Sequence, residues 1–351
     1  MQTDNDIKYI AEGTYGCVFN KEIACSIKTD LKFKDRYVSK VQFDNGDVKE
    51  TNIGKLLQNI YQYEYFFAPI LDTCPINIGI IENDEIKKCN IIKNDMKRHT
   101  YVSSKIKYVG DISIGTYLDN IISEKKKVKA IFESHLYILK GLELLLAVPD
   151  PIIHYDLKDN NIMMDSIYDI PIIIDFGLSF TKSEIVEGLN NPQELRKIFY
   201  VAVSNYPSWS IEIILLSHII QNLLDEIDNI IDNYIDELIH IIEIFLETST
   251  IFETDDERNE FKDKMIKYII SFQSKTIRLF INDLLKNWKS WDNYAMAVNF
   301  YSYLNDMNDE YINDYKKILK KIILMTSEST RPLPMETYSS IISLCSINRT
   351  L

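Results

Sequence analysis

The sequence has no CxxC pair. Its five cysteines (Cys17, Cys25, Cys74, Cys89 and Cys345) are scattered and odd in number, which favours free thiols in a reducing compartment over a zinc or disulfide role. No apolar run approaches the ~20 residues that cross a bilayer. The N-terminal string MQTDNDIKYI lacks a basic stretch followed by an apolar one, so no signal peptide is expected. Positive charge is also short, with 39 Lys and Arg against 52 Asp and Glu, a net charge of -13. Wrapping phosphate backbones demands Lys and Arg, so nucleic acid is a poor partner; an acidic surface would instead attract basic protein segments. Glycine and proline are scarce, while Ile, Asn, Lys, Asp and Tyr abound, a bias that an AT-rich genome would produce without physical need. These absences describe a soluble intracellular protein.

What is present is a chain of 351 residues, 46% of them apolar, long enough for a large core and two lobes. No repeat of fixed period stands out. The front reads as short strands: IKYIAEGTYGCVFN (7–20) as strand, glycine turn, strand, then RYVSKVQF (36–43) and YVSSKIKYVG (101–110). Between them, Ile53, Leu56, Leu57 and Ile60 have helical spacing. After Gly110 the texture becomes helical. AIFESHLYILKGLELLLAV (130–148) predicts a buried helix, and IPIIIDFGLS (170–179) a short apolar strand. Ile220, Leu223, Leu224, Ile227, Ile230, Ile231, Tyr234 and Leu238 predict one helix face. Phe261, Met265, Tyr268, Phe272, Leu279 and Phe280 predict a second long helix, with ETSTIFETDDERNE (247–260) as the loop between.

Four strings carry chemistry. In AEGTYGCVF, Gly13 and Gly16 permit a tight turn whose N–H groups could cover phosphates, although an ordinary hairpin turn explains them as well. Lys40 interrupts a β-branched strand. Pointing inward it needs an anion, a phosphate or the carboxylate of Glu50; pointing outward it is a solvated strand lysine. In HYDLKDNN, Asp156, Lys158 and Asn161 are spaced D-x-K-x-x-N, and Asp175 follows in IDFG. A carboxylate can accept a hydroxyl proton, a lysine can neutralise charge on a transferring phosphoryl group, and an amide oxygen with a second carboxylate suits Mg²⁺. Together these are the parts for phosphoryl transfer from ATP to an alcohol. His154 reads as a packed residue, since Asp156 holds the base position. His99, His135, His218 and His240 have no metal-ligand spacing.

These strings resemble those of eukaryotic-type protein kinases. EGTYGCVF is similar to the glycine-rich loop, VSK to the lysine strand, HYDLKDNN to the catalytic loop, and DFG is identical. His154, Asp156, Leu157, Asn161, Asp175, Phe176 and Gly177 match together at random on the order of 10⁻⁶ of the time, at roughly one in twenty per position. SNYPSWSIEIILL resembles the segment that closes the activation loop, with Glu212 as its glutamate. TRPLPMETYSSII resembles the segment whose arginine pairs with that glutamate, which implies an Arg331–Glu212 ion pair. WDNYAMAVNFYSYL resembles the central helix, with Asp292 holding the catalytic-loop backbone.

The resemblance implies an α+β, bilobal fold. Residues 1–110 would form a small lobe with an antiparallel sheet and one helix. Residues 111–351 would form a mainly helical lobe enlarged by a helical insertion at 217–288, because Glu212 and Asp292 stand 80 positions apart. It implies ATP with Mg²⁺, bound near Ala11, Gly13, Gly16, Val18 and the connecting segment Lys107, Tyr108, Val109 and Gly110. Lys40 would hold phosphates and pair with Glu50. Asp156 would act as base, Lys158 would stabilise the transferring group, and Asn161 with Asp175 would ligate Mg²⁺. The substrate implied is a protein Ser or Thr, and the acidic surface favours basic sequences. The insertion, WDNYA and HYDLKDNNI also resemble serine/threonine kinases of large cytoplasmic DNA viruses, which would place the protein in host cytoplasm or virion.

Departures matter too. Tyr155 replaces the arginine that in the family meets a phosphorylated activation loop, so activity without phosphorylation at Ser179, Thr181, Ser183, Ser204 or Ser208 is expected. Gly54 stands where a larger apolar residue usually packs on Phe176. Either Glu64 replaces Glu50 as the partner of Lys40, or nearby aromatic residues fill the gap. A different class of function is a pseudokinase scaffold that binds a partner through 217–288; the presence of Lys40, Asp156, Asn161 and Asp175 weighs against it. A small-molecule kinase is a third, weakened by the Glu212 and Arg331 segments.

Overall fold

The structure, a computed structural model, describes residues 7–13, 16–21, 23, 25, 36–44, 48–78, 84–94, 100–203, 205–305, 307, 310–325 and 331–347. In chain order the elements are β1 (Tyr9–Glu12), β2 (Gly16–Phe19), β3 (Tyr37–Phe43), α1 (Lys49–Leu57), β4 (Phe67–Ala68), β5 (Ile70–Ile76), α2 (Asn90–Lys93) and β6 (Tyr101–Lys107). Then come α3 (Ile114–Asp119), α4 (Glu124–Ala147), β7 (Ile152–Ile153), β8 (Ile162–Met164), β9 (Pro171–Ile174) and β10 (Phe180–Thr181). The remainder is helical: α5 (Lys182–Asn190), α6 (Pro192–Ile198), α7 (Ile211–Asn222), α8 (Ile235–Thr248), α9 (Asp255–Ile270), α10 (Ile277–Leu284), α11 (Trp291–Ser302), α12 (Glu310–Ile323) and α13 (Pro334–Ile347). The protein is therefore α+β, a small antiparallel sheet followed by a mostly helical remainder, an arrangement compatible with a kinase-like fold. No helix among the described residues is long and apolar enough to cross a membrane.

Contacts divide the chain into two units: Met1–Ile112 with Met163–Gly177, and Ser113–Ile162 with Leu178–Leu351. The first contains a five-stranded antiparallel sheet in the order β1-β2-β3-β6-β5. Phe19, Val41, Ile76, Ile86 and Tyr101 form its core with Cys17 and Cys89. The segment 163–177 joins this unit, beyond the expected boundary at Gly110, because β9 pairs in parallel with β4.

Four cysteines correct the expectation of free thiols. Cys17 on β2 is bonded to Cys89, and Cys25 to Cys74 on β5; Cys345 forms no bridge. The partners lie 72 and 49 positions apart, so they meet only once the sheet has formed and short spacings carry no trace of them. Such bridges persist in oxidising surroundings, and the inference of a reducing compartment loses its basis. Closing each loop restricts the unfolded chain, and each bridge is expected to contribute about 2–4 kcal/mol. Peptide mapping without reductant should recover both linked pairs, and dithiothreitol should lower the melting temperature. Five alkylatable thiols, in place of the one expected at Cys345, would contradict the pairing.

In the second unit α4 is buried along Ile131, Phe132, Ile138, Leu139, Leu142 and Leu145 and packs on α11 and α13. The insertion departs from its predicted pattern. The face expected to run from Ile220 to Leu238 breaks between α7 and α8, and the second long helix breaks between α9 and α10. The two breaks pair with each other. Ile231 N donates to Lys275 O at 2.9 Å, Ile277 N to Asn229 O at 3.0 Å and Arg278 N to Ile227 O at 2.9 Å. The carboxylate of Asp232 accepts from Ser274 N at 2.8 Å. These bonds replace helical ones that apolar spacing alone would favour. The expected loop 247–260 ends at Thr254, whose hydroxyl caps α9 by accepting from Glu257 N at 3.1 Å. Asp255, Asp256 and Glu257 in the first turn suit the positive helix terminus.

Candidate active site

In the first unit, the β2–β3 register sets Val18 opposite Lys40. The Lys40 side chain is 13% exposed, so its ammonium needs anions, and it has two. Nζ donates to Glu50 on α1 at 3.0 and 3.2 Å and to Asp175 at 3.1 Å. Burial alone would depress the lysine pKa. The two carboxylates outweigh it and push it up to about 12. The charged form therefore strengthens the fold fully below the ordinary lysine value, and this contribution fades as pH rises through about 12.

Glu50, and not Glu64, is thus the partner of Lys40; Glu64 lies in a 3-10 turn at Tyr63–Tyr65. Gly54 has a packing reason of its own. A Cβ there would sit 2.1 Å from the carbonyl oxygen of Ile70, so α1 can lie against β5 only with glycine at this point. The place beside buried Phe176 is filled by Phe67 of β4, edge-on at 6.0 Å between ring centroids.

Ala11 is exposed on β1 and pairs with Val18. Gly13 N donates to Gly16 O at 2.8 Å, which closes the hairpin; Thr14 and Tyr15 at its tip lie outside the described residues. Lys107 ends β6 opposite Tyr37. Tyr108 N donates to Arg36 O at 3.0 Å, and the Arg36 guanidinium stacks on its ring at 3.8 Å. Val109 packs with Ala68, Ile172 and Ile174, on the strand that leads into Asp175. A Cβ at Gly110 would lie 2.1 Å from Met164 O, so the chain passes β8 at backbone distance.

In the second unit, Asp156, Lys158 and Asn161 converge. Asp156 Oδ2 accepts from Lys158 Nζ at 2.9 Å and from Asn161 Nδ2 at 3.0 Å, while Asn161 Nδ2 also donates to Asp156 O at 2.7 Å. With its nitrogen committed in this way, the Asn161 oxygen remains the atom suited to a hard cation. The loop is held from behind: His154 N and Tyr155 N donate to the two oxygens of buried Asp292 on α11 at 2.8 and 2.9 Å. Burial raises the Asp292 carboxyl, and those N–H groups oppose the rise. Tyr155 and Asp175 both have positive φ, 71° and 61°. Side chains avoid that region unless neighbours enforce it, and such strain gathers at functional sites.

The Tyr155 ring is buried among other aromatic side chains. Its centroid lies 4.9 Å from Trp209, 5.3 Å from Phe180, 5.9 Å from Phe199 and 6.4 Å from Trp291. Trp209 Nε1 donates to Tyr155 O at 2.8 Å. Glu212 and Arg331 form the implied ion pair at 2.8 Å, both buried. His135 is buried, with Nδ1 2.6 Å from Tyr315 Oη; His99 lies outside the described residues. Sequence reasoning expected an aromatic beside Phe176 without naming Phe67, and it missed Tyr206, whose hydroxyl donates to Asp156 Oδ1 at 2.6 Å. Tyr206 lies within SNYPSWSIEIILL, but nothing in that string singles it out, and it reaches Asp156 from fifty positions away.

Comparison with known proteins finds a partial likeness to protein kinases. No family model matches the chain. It is 30% identical over 163 residues to "Probable serine/threonine-protein kinase samkC" of Dictyostelium discoideum, covering 46% of this chain and 16% of that protein. It is 36% identical over 138 residues to "Probable serine/threonine-protein kinase samkA" of the same organism, covering 36% of this chain and 20% of that protein. The chain thus spans a fifth or less of the length of these relatives.

Proposed function

We propose that the protein is a bilobal serine/threonine protein kinase that transfers the ATP γ-phosphoryl group to a protein hydroxyl. The observation that carries this reading is the double ion pair of Lys40, a nearly buried ammonium drawn to a helix carboxylate and to the aspartate of IDFG at once. Facing Asp175, whose side chain is 47% exposed, the same ammonium would meet phosphate oxygens. Lys40 would bind the α- and β-phosphates, and the hairpin of Ala11, Gly13, Gly16 and Val18, with Lys107–Gly110, would take the nucleotide. Asp156 would orient the acceptor hydroxyl and take its proton, with Lys158 beside the transferring group.

No group of three or more His, Cys, Asp or Glu suited to a metal occurs among the described residues. The donors Asn161 and Asp175 suit Mg²⁺, which keeps waters and phosphate oxygens and needs few protein ligands. An ion held by such donors would neutralise charge on the phosphates. The net charge of -13 supports a basic protein substrate. The insertion at 217–288, WDNYA and HYDLKDNNI support a likeness to kinases of large cytoplasmic DNA viruses.

Activity without loop phosphorylation is supported by the surroundings of Tyr155. Phe180, Phe199 and Trp209 are buried against it, so apolar packing takes over the anchoring that a phosphate–arginine pair gives elsewhere. Ser179, Thr181 and Ser208 are themselves buried, Ser183 is exposed, and Ser204 lies outside the described residues. The test is transfer of labelled γ-phosphate, with Mg²⁺, to a mixed basic protein by phosphatase-treated enzyme. Phosphoserine or phosphothreonine should form at once. An enzyme that stays inert until its loop is phosphorylated would refute constitutive activity, and one that transfers nothing under any condition would refute the kinase reading.

A further inference from the structure

We infer that Tyr206 holds the acceptor position at Asp156, so that an incoming protein hydroxyl must displace it before transfer. This rests on the phosphotransfer reading of the site. A carboxylate has two oxygens, and both are engaged. Oδ2 accepts from Lys158 and Asn161, and Oδ1 accepts from Tyr206 Oη at 2.6 Å. A general base must lie about 2.6–3.2 Å from the hydroxyl it deprotonates, and the phenol meets that condition in the resting protein. Burial first, and then the Asp156 charge, push the phenol well above its ordinary pKa. It therefore stays a neutral O–H donor, chemically the same group as the substrate hydroxyl it stands in for.

The ring is positioned rather than loose. It meets Trp209 edge-on at 5.1 Å, and Lys158 Nζ lies 5.8 Å from its centroid. Trp209 is fixed in turn by its bond to Tyr155 O. The described residues before Tyr206 are different in kind: Ala202, Val203 and Asn205 are exposed, so the ring can turn aside without opening the core. Two consequences follow. A protein acceptor binds in competition with the phenol. Water, the smallest rival acceptor, is kept from Asp156, which limits the wasteful reaction in which a water oxygen bonds to the γ-phosphorus, the bond to ADP breaks and the water proton passes to Asp156.

Tyr206→Phe tests this, because it keeps the ring on Trp209 and removes the hydrogen bond. A bond to a charged group is worth about a factor of ten or more. The variant should therefore show a KM for basic protein acceptor lower by roughly tenfold and acceptor-free ATP hydrolysis higher by a similar factor, with the KM for Mg·ATP unchanged. An unchanged acceptor KM, or a fall in kcat alone, would overturn the inference and leave Tyr206 as a support for Asp156. Phosphate found on Tyr206 itself would also overturn it, making the residue a substrate. Both of these require an active wild type. If wild type and variant alike transfer nothing to protein or water, the kinase reading fails and this inference with it.

Discussion

Asp156→Asn is expected to lower the rate of phosphoryl transfer by about 10²–10⁴-fold, the usual contribution of a positioned general base. The substitution is nearly isosteric and the network around it can persist. An amide oxygen can face Lys158 and Asn161, the donors that meet Oδ2, while the amide nitrogen turns to the oxygen of Tyr206 on the Oδ1 side. The backbone behind it is held by Asp292, which the change does not touch. What disappears is the proton acceptor. Steady-state transfer to a basic protein, set beside Mg·ATP binding and a melting curve, separates the cases. Lost transfer with binding and melting preserved fits the assigned role. Transfer within a few-fold of wild type would remove Asp156 from the chemistry.

Arg331→Ala should produce the largest loss of stability, about 3–5 kcal/mol, because it strands a charge inside the protein. Glu212 is fully buried in the first turn of α7. Without the guanidinium, its remaining side-chain partner among the described residues is Asn287, at a long 3.5 Å. The arginine does more than pair. Its nitrogens also donate to Ile322 O at 3.0 Å, Met325 O at 3.1 Å and Ser290 Oγ at 3.3 Å. Ile322 lies in the last turn of α12, so the cation sits at the negative end of one helix and its partner at the positive end of another. At about 2–4 °C per kcal/mol, the melting temperature should fall by roughly 6–20 °C. A double variant, Glu212→Leu with Arg331→Met, should recover much of that loss, since apolar replacement of a whole buried pair is often neutral or better. A double variant as unstable as the single would show that the carbonyl bonds of Arg331, and not the stranded charge, dominate.

The parts of the fold that the sequence made legible are those written in local spacing. The β1–β2 hairpin, the strand bearing Lys40, the helix bearing Glu50 and the apolar strand before Asp175 each show in a short window. The pairings of Arg331 with Glu212 and of Asp292 with the loop of Tyr155 came from resemblance, since nothing in the intervening residues predicts them. Features decided by distant contacts stayed hidden. No glycine or proline marks the breaks near Ile230 and Thr276, because each break is made by the other. The cysteine pairs needed the folded sheet. Gly54 looked like a defect on α1 until Phe67, from another element, was seen beside Phe176. Tyr206 falls in the same group, as a residue whose role is set by where its loop returns.

The ring cluster around Tyr155 gives the chain an optical probe of its own. Of the three tryptophans, Trp209 and Trp291 are both buried in that cluster, while Trp288 is partly open. Indole emission shifts to longer wavelength as water reaches the ring. Two of the three indoles therefore lie beside the backbone that carries Asp156, and the colour of their emission reports whether that stretch is seated, without label or added dye.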